Sequence, residues 1–258
     1  MSKKLKVFSF NLRVVVPKDG INCFWSRTER IKKVIADHTP DIIGFQEVND
    51  DMRLWLRDTL SDYFLVGCGR NSSYKGEAMV IAYKKDSFEL IRLDTFWLSA
   101  TPRVAGSRYG EDQSLCPRSA TVALLKHNEA DKPFAFINTH LDHQGSTARL
   151  LGSVQLLQYI SELNVPCILT GDFNATPDTR EIQVITENDI CGLKDLTAGL
   201  GGTFHGFGKN DPENMPKIDY IFTNMKADPN EAFAIEDKGI DGVYISDHYP
   251  VCAFVEVE

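Results

Sequence analysis

The chain has 258 residues, 43% of them hydrophobic, with 36 acidic against 28 basic side chains for a net charge of −8. That length suits one large domain with a sizeable core, and the hydrophobic content excludes a disordered chain. The charge argues against tight wrapping of long nucleic acid, which needs a basic face that displaces counterions. It leaves room for a phosphate substrate if a divalent cation supplies the positive field.

The six cysteines form no CxxC pair, and Cys167 and Cys252 lie in apolar runs, so reduced structural thiols are expected in place of disulfides or a zinc site. No run of 18 apolar residues occurs, and the stretch from Met1 to Phe10 is broken by polar residues where a signal segment would be apolar. The expectation is a cytoplasmic protein with no membrane segment.

In chain order, the pattern predicts a strand over 5–11, a helix over 25–38 with Ile31, Val34 and Ile35 at helical spacing, and a strand over 41–46. A helix over 49–60 places Met52, Trp55, Leu56 and Leu60 on one side. Strands follow over 78–83, 88–98, 120–126 and 134–140, the last two joined by a short polar turn. A helix over 146–163, with Ser146 as its N-cap, precedes a strand over 165–170 and a helix over 179–187. Strands over 217–223, 231–237 and 249–257 complete the chain. Strand pairs without intervening helices rule out all-parallel sheets. The expected fold is therefore α/β, a four-layer sandwich of two mixed sheets packed face to face with helices outside, in one domain over 1–258. The segment 99–117, with two prolines and no periodicity, is a long loop of the kind that is often functional.

Chemistry-bearing residues gather where strands end. Thr170-Gly171-Asp172-Phe173-Asn174 follows the apolar run from Val165 to Leu169, and Asp172 and Asn174, two apart, share a face in an extended chain. An ionised Asp172 could orient or deprotonate a water while Asn174 donates to a phosphoryl oxygen; the same pair could instead cap the helix after Pro177. Glu47 is the best direct ligand for a divalent metal, since Mg²⁺ prefers hard oxygens and needs only one or two protein carboxylates; it could also belong to a helix cap at Asn49-Asp50. Asp247-His248 sets an oxygen beside an imidazole. Asp219 interrupts an apolar strand, where a carboxylate needs a partner, and a bond to His248 would supply one; an outward-facing position on an alternating strand would too. His140 ends its strand in the same way. Among Arg103, Arg108 and Arg118, the last is the candidate phosphate contact because it adjoins a strand start. His205, in Gly201-Gly202-Thr203-Phe204-His205-Gly206, is a candidate substrate contact. Phe24, Trp25, Tyr109 and Phe204 could stack on bases or simply pack loops.

Taken in order, Ser9-Phe10-Asn11-Leu12, Gln46-Glu47, Asn138-Thr139-His140, Gly171-Asp172-Phe173-Asn174, Ile218-Asp219-Tyr220-Ile221 and Ser246-Asp247-His248-Tyr249-Pro250 resemble the endonuclease/exonuclease/phosphatase superfamily, a deoxyribonuclease I-like group. The segments around Thr95 to Ser99, Cys116-Pro117-Arg118 and Thr203 to Gly206 resemble a bacterial branch close to the deadenylase and nocturnin side. The resemblance spans essentially the whole chain and implies a four-layer sandwich and Mg²⁺-dependent phosphoester hydrolysis, with Mn²⁺ as a substitute. By position it implies Glu47, Asn11 and Asp247 at the metal, Asp172 and Asn174 on water and phosphate, and His248, braced by Asp219, facing the scissile phosphate. His140 matches the histidine of deoxyribonuclease-like and sphingomyelinase-like members. The tyrosine of abasic-site endonucleases has no counterpart here. The expected partner is a phosphate ester, either a small molecule or a short single strand, with no obligate protein partner; a nuclease on single strands and a catalytically inactive scaffold are the rival readings.

Overall fold

A computed structural model of the chain describes residues 3–110 and 112–258. Within it two six-stranded sheets stack face to face. In the first, the strands run β11 (Phe233–Ala234), β12 (Val251–Val257), β1 (Lys3–Asn11), β2 (Ile42–Val48), β4 (Ala78–Lys84) and β3 (Tyr63–Val66). In the second they run β5 (Phe88–Trp97), β6 (Ser119–His127), β7 (Phe134–His140), β8 (Cys167–Asp172), β10 (Asp219–Thr223) and β9 (Lys194–Asp195). Helices α1 (Phe24–His38) and α2 (Asp50–Thr59) cover the outer face of the first sheet, and α3 (Ser146–Leu163) and α4 (Arg180–Thr186) that of the second. The four-layer expectation holds.

Among the described residues, parallel pairing occurs only between β1 and β2 and between β7 and β8, the two neighbours joined through α1 and α3. The other pairings are antiparallel, as short connections require. Val7, Ile42, Ile81, Phe136, Ile168 and Ile221 fill the space between the sheets. Each such side chain contributes roughly 1.5–3 kcal/mol on burial, and β7 is buried along its entire length.

One patch between the sheets is polar. Gln46 Nε2 donates to Asn138 Oδ1 at 2.7 Å, and Asn138 Nδ2 donates to the carbonyls of Phe45 and Val80 at 2.8 and 3.0 Å. The sheets approach so closely here that a Cβ on Gly44 would stand 2.3 Å from Thr170 Oγ1. Gln46 and Asn138 thus bind one sheet to the other next to the strand ends that carry the chemistry.

Several boundaries differ from the pattern. β3 and β9, of four and two residues, are too short to show a period, and the strand expected over 231–237 shrinks to Phe233–Ala234. Asn49 caps α2 by accepting from Met52 N at 3.0 Å, which frees Glu47 from that role. Ser146 does not cap α3: Gly145 occupies the position, and the distant Asp112 accepts from Thr147 N and Ala148 N at 2.9 Å each. A side chain from the long loop therefore does what the local sequence suggested Ser146 would do. That loop is itself bonded to the body through Asp142, which accepts from Ser114 N at 3.1 Å.

Candidate functional site

β1, β2, β7 and β8 end at one rim, and β10 begins there. The register pairs Asp172 with His140 on one side and with Asp219 on the other, so three site candidates form one row across the second sheet. Asn11 and Glu47 face them from the first sheet, and Asp247-His248 enters just before β12. Glu47, His140, Asp172, Asn174, Asp247, His248 and Arg118 all line one cleft of ≈ 650 Å³. Asp219 and Asn11 lie beneath, each about 1% exposed.

The hub is Asp172. Asn11 Nδ2 donates to its Oδ2 at 2.9 Å, Asn174 N donates to its Oδ1 at 2.9 Å, and the Nε2 atoms of His140 and His248 stand 3.4 and 3.8 Å from Oδ2. Burial, together with the carboxylates of Asp219 and Glu47, outweighs the pull of His248 and pushes Asp172 up to about 7. His248 Nδ1 donates to Asp219 Oδ2 at 2.8 Å, and Thr203 Oγ1 donates to the same oxygen at 2.6 Å. Burial alone would lower His248, but Asp219 and Asp172 raise it to about 10. His248 is a cation in this setting, with Nδ1–H committed to Asp219 and Nε2–H turned toward Asp172.

Glu47 is held as an anion. Burial opposes its charge, yet Val14 N at 2.9 Å, Asn11 Nδ2 at 3.1 Å and the nearby Arg13 more than offset it and lower it. Asp247 goes the other way: burial and Glu47 raise it against His248 and Arg13. Glu47, Asp172 and Asp247 thus crowd one cleft, and each of the latter two is harder to ionise because Glu47 is charged. Such a set of hard oxygen donors fits a divalent cation, which would relieve that repulsion. Ligand atoms of Glu47, His140 and Asp172 lie within 4.8 Å of one another; in the similar grouping of Asp172, Asp219 and His248 the imidazole has no lone pair to give, its Nδ1–H held by Asp219 and its Nε2–H turned toward Asp172.

The geometry refines several expectations. Asn11 does not turn an oxygen to the site: its Oδ1 accepts from Arg13 N at 2.8 Å, and its NH₂, which has no lone pair to give a metal, bridges Glu47 and Asp172. Asn174 Nδ2 donates to His140 Nε2 at 3.0 Å and to Leu141 O at 3.1 Å, so both amide hydrogens are used within the protein. They fix the His140 tautomer, leaving Nδ1–H buried without a partner. Burial, with Arg118 and Arg70 nearby, holds His140 well below the ordinary imidazole value, so it is neutral. His205 is not in the cleft: its ring stacks on Tyr249 at 4.4 Å, its Nδ1 accepts from Gly208 N at 3.1 Å, and the neighbouring Phe204 faces the cleft in its place. Of the other aromatic candidates, Phe24 is fully buried and the Tyr109 hydroxyl donates to Gln155 at 2.7 Å; Trp25 remains 48% exposed.

Other residues here had no sequence signal. Arg13 lines the cleft and pairs with Asp19 at 2.9 Å and Asp247 at 3.6 Å. Fully buried Arg27 of α1 donates to the carbonyls of Asn22, Leu12, Arg13 and Ile245 at 2.6–2.8 Å, fastening the loops after β1 and before Asp247 together. Arg13, Glu47 and Asn174 adopt left-handed backbone, with φ of 54°, 61° and 49°. Glu47 falls where β2 slips its register against β4. Such conformations cost roughly 1–3 kcal/mol each and re-aim side chains out of the strand direction, a trade found at functional sites.

The chain as a whole is similar to known proteins. A model of the endonuclease/exonuclease/phosphatase family matches residues 20–248. The chain belongs to this family. An endonuclease/exonuclease/phosphatase from Bacteroides vulgatus is 32% identical, with a TM-score of 0.88 over 99% of this chain and 100% of that one. A mannosyl-6-phosphatase from Bacteroides thetaiotaomicron is 28% identical, with a TM-score of 0.87 over 98% of this chain and 100% of that one. A protein of Acanthamoeba polyphaga mimivirus is 26% identical over 254 residues, 90% of this chain and 91% of its own length. Members of the endonuclease/exonuclease/phosphatase family are metal-dependent hydrolases of phosphoester bonds. Among the described residues, no helix is long and apolar enough to cross a membrane.

Proposed function

We propose that the protein is a Mg²⁺-dependent phosphoesterase that hydrolyses a phosphate ester of a small molecule by direct attack of water. The observation that carries this reading is the convergence on one cleft of Glu47, Asp172 and a His248 braced by Asp219 at 2.8 Å. A carboxylate held beside the attacking water can accept its proton as the bond to phosphorus forms. Asp172 takes the proton of the attacking water, held in place by Asn11 and the Asn174 backbone. The Nε2–H of His248 donates to a phosphoryl oxygen as negative charge grows there, and Asp219 keeps that imidazole protonated and fixed in orientation. The neutral His140, fixed by Asn174, packs its Nε2 edge against Asp172 and adds no charge beside it. A divalent cation at Glu47 would supply positive charge to a phosphate oxygen and to the departing one. No covalent intermediate is required.

The likeness to a mannosyl-6-phosphatase supports a small phosphorylated substrate, and so does the charge of −8, which disfavours long nucleic acid. The test is a Mg²⁺-dependent screen over sugar phosphates, cyclic phosphodiesters, single strands and duplexes, with Asp172→Ala as control. Turnover of small esters that the variant loses by at least 100-fold supports the reading; strand cleavage in preference to small esters, or an unimpaired variant, sinks it.

A further inference from the structure

Of the arginines that line the cleft, Arg70 and Arg118 make no bond to Glu47, Asp172, Asp247 or His248, and each keeps a buried donor unmet. Arg118, just before β6, bonds through Nε to Asp142 Oδ2 at 3.3 Å and through Nη2 to His143 Nδ1 at 2.8 Å; its Nη1 is buried with no partner. Arg70, in the connection from β3 to β4, bonds through Nη2 to Glu77 at 2.9 Å, and its Nη1 is also buried with no partner. The two residues are only 3% and 6% exposed. They arise from connections of different sheets, yet Arg70 is close enough to Arg118 to disfavour its charge, and both disfavour charge on His140.

Buried donors on charged groups are normally satisfied, because an unmet one forfeits its hydration and gains nothing in return. Two of them on one cleft wall, on like charges brought together, cost the free protein stability that packing alone would not demand. A bound anion supplies what both Nη1 atoms lack, an oxygen acceptor, and brings a negative charge between the two cations; the fork of a guanidinium matches a tetrahedral or planar oxyanion. A neutral hydroxyl would satisfy the donors and leave the like-charge contact in place.

We propose that Arg70 and Arg118 form an oxyanion subsite for a second anionic group of the substrate, a phosphate or carboxylate other than the ester being cleaved. The preferred substrates are then small molecules carrying two anionic groups. This assignment rests on the phosphoesterase reading for the fate of the ligand, though its binding can be measured without turnover.

The experiment compares hexose 1,6-bisphosphate and 6-phosphogluconate with hexose 6-phosphate. Calorimetric titration in EDTA should show the wild-type protein binding at least one of the doubly anionic ligands ten or more times more tightly than the monoester. Whichever gains identifies the second group as phosphate or carboxylate. Arg118→Lys, which keeps a charge beside Asp142 but loses the fork, and the double variant Arg70→Gln/Glu77→Gln, which removes a whole ion pair, should bring that preference within threefold while unfolding near the wild-type temperature. Equal affinity of the wild type for all three ligands, or equal losses on all three in the variants, overturns the subsite; equal losses would mean that the pair serves the scissile phosphate. Selective binding with no hydrolysis by the Mg²⁺-loaded enzyme would keep the subsite and refute the phosphoesterase reading instead. Hydrolysis without selectivity would do the reverse.

Discussion

Asp219 Oδ2 accepts a 2.8 Å hydrogen bond from Nδ1 of His248, and both side chains are almost wholly buried. Asp219 is the foremost of the groups that hold the proton on His248. In Asp219→Asn, the His248 imidazole should titrate at least one unit below about 10, as followed by NMR on metal-free protein. Turnover near neutrality should fall tenfold or more, because both the charge and the orientation of the ring are weakened. An unmoved titration would remove Asp219 from this role.

Asp172 gives a signed dependence of stability on pH. Its value in the folded chain, about 7, lies above the ordinary 3.8, so the folded state keeps a proton that the unfolded chain has released. The associated stability is complete below pH 4 and is lost as pH rises to 7, by up to about 4 kcal/mol. Thermal unfolding in EDTA should show this decline in the wild type and a flatter profile in Asp172→Asn.

His205 should act in the opposite direction. Burial, with His248 nearby, lowers its value from 6.5 to about 4, so the unfolded chain binds the extra proton first. Stability is full above pH 6.5 and drops as pH falls through about 4, by at most about 3 kcal/mol. His205→Gln should shallow the loss of melting temperature across that window while leaving kcat within a few-fold of wild type. A large fall in kcat would mean that the ring reaches substrate after all.

Gly44 tests how closely the sheets meet. A Cβ there would stand 2.3 Å from Thr170 Oγ1 and 2.7 Å from Asn138 Oδ1, both buried. Gly44→Ala should destabilise by about 1–3 kcal/mol, lowering the unfolding midpoint by several degrees. Glycine 20, where a Cβ would meet nothing within 4 Å but φ is +60°, makes a useful contrast, since substitution there strains only the backbone.

The long strands and helices could be read from periodicity because their residues alternate between a sheet and a helix layer, and Asp219 was visible as a carboxylate inside an apolar strand. Asp172, Glu47 and His248 stood out because each ends or adjoins such a run. Arg70 and Arg13 did not, since nothing in a loop sequence says which sheet edge it will meet, and Arg27 did not because a basic residue on a helix reads as solvent-facing; only the strand order brings Arg70 beside Arg118. His205 was misplaced by one residue, an error that flips a side chain in extended backbone from a cleft into a core. The cap of α3 was misassigned for a related reason: Asp112 is 33 positions before Gly145 in the chain and reaches it only through the loop fold.

β1 lies between β2, its near neighbour in sequence, and β12, formed by residues 251–257. During synthesis the first strand therefore waits with an open edge while more than two hundred residues are added. Asp247 and His248 arrive just before that edge is closed, and Arg27 finds the carbonyl of Ile245 in the same stretch. A chain released between Asp172 and Ile245 carries Glu47 and Asp172 but has neither the imidazole nor the clasp that aligns them, so truncation there separates the middle of the protein from acquisition of its chemistry.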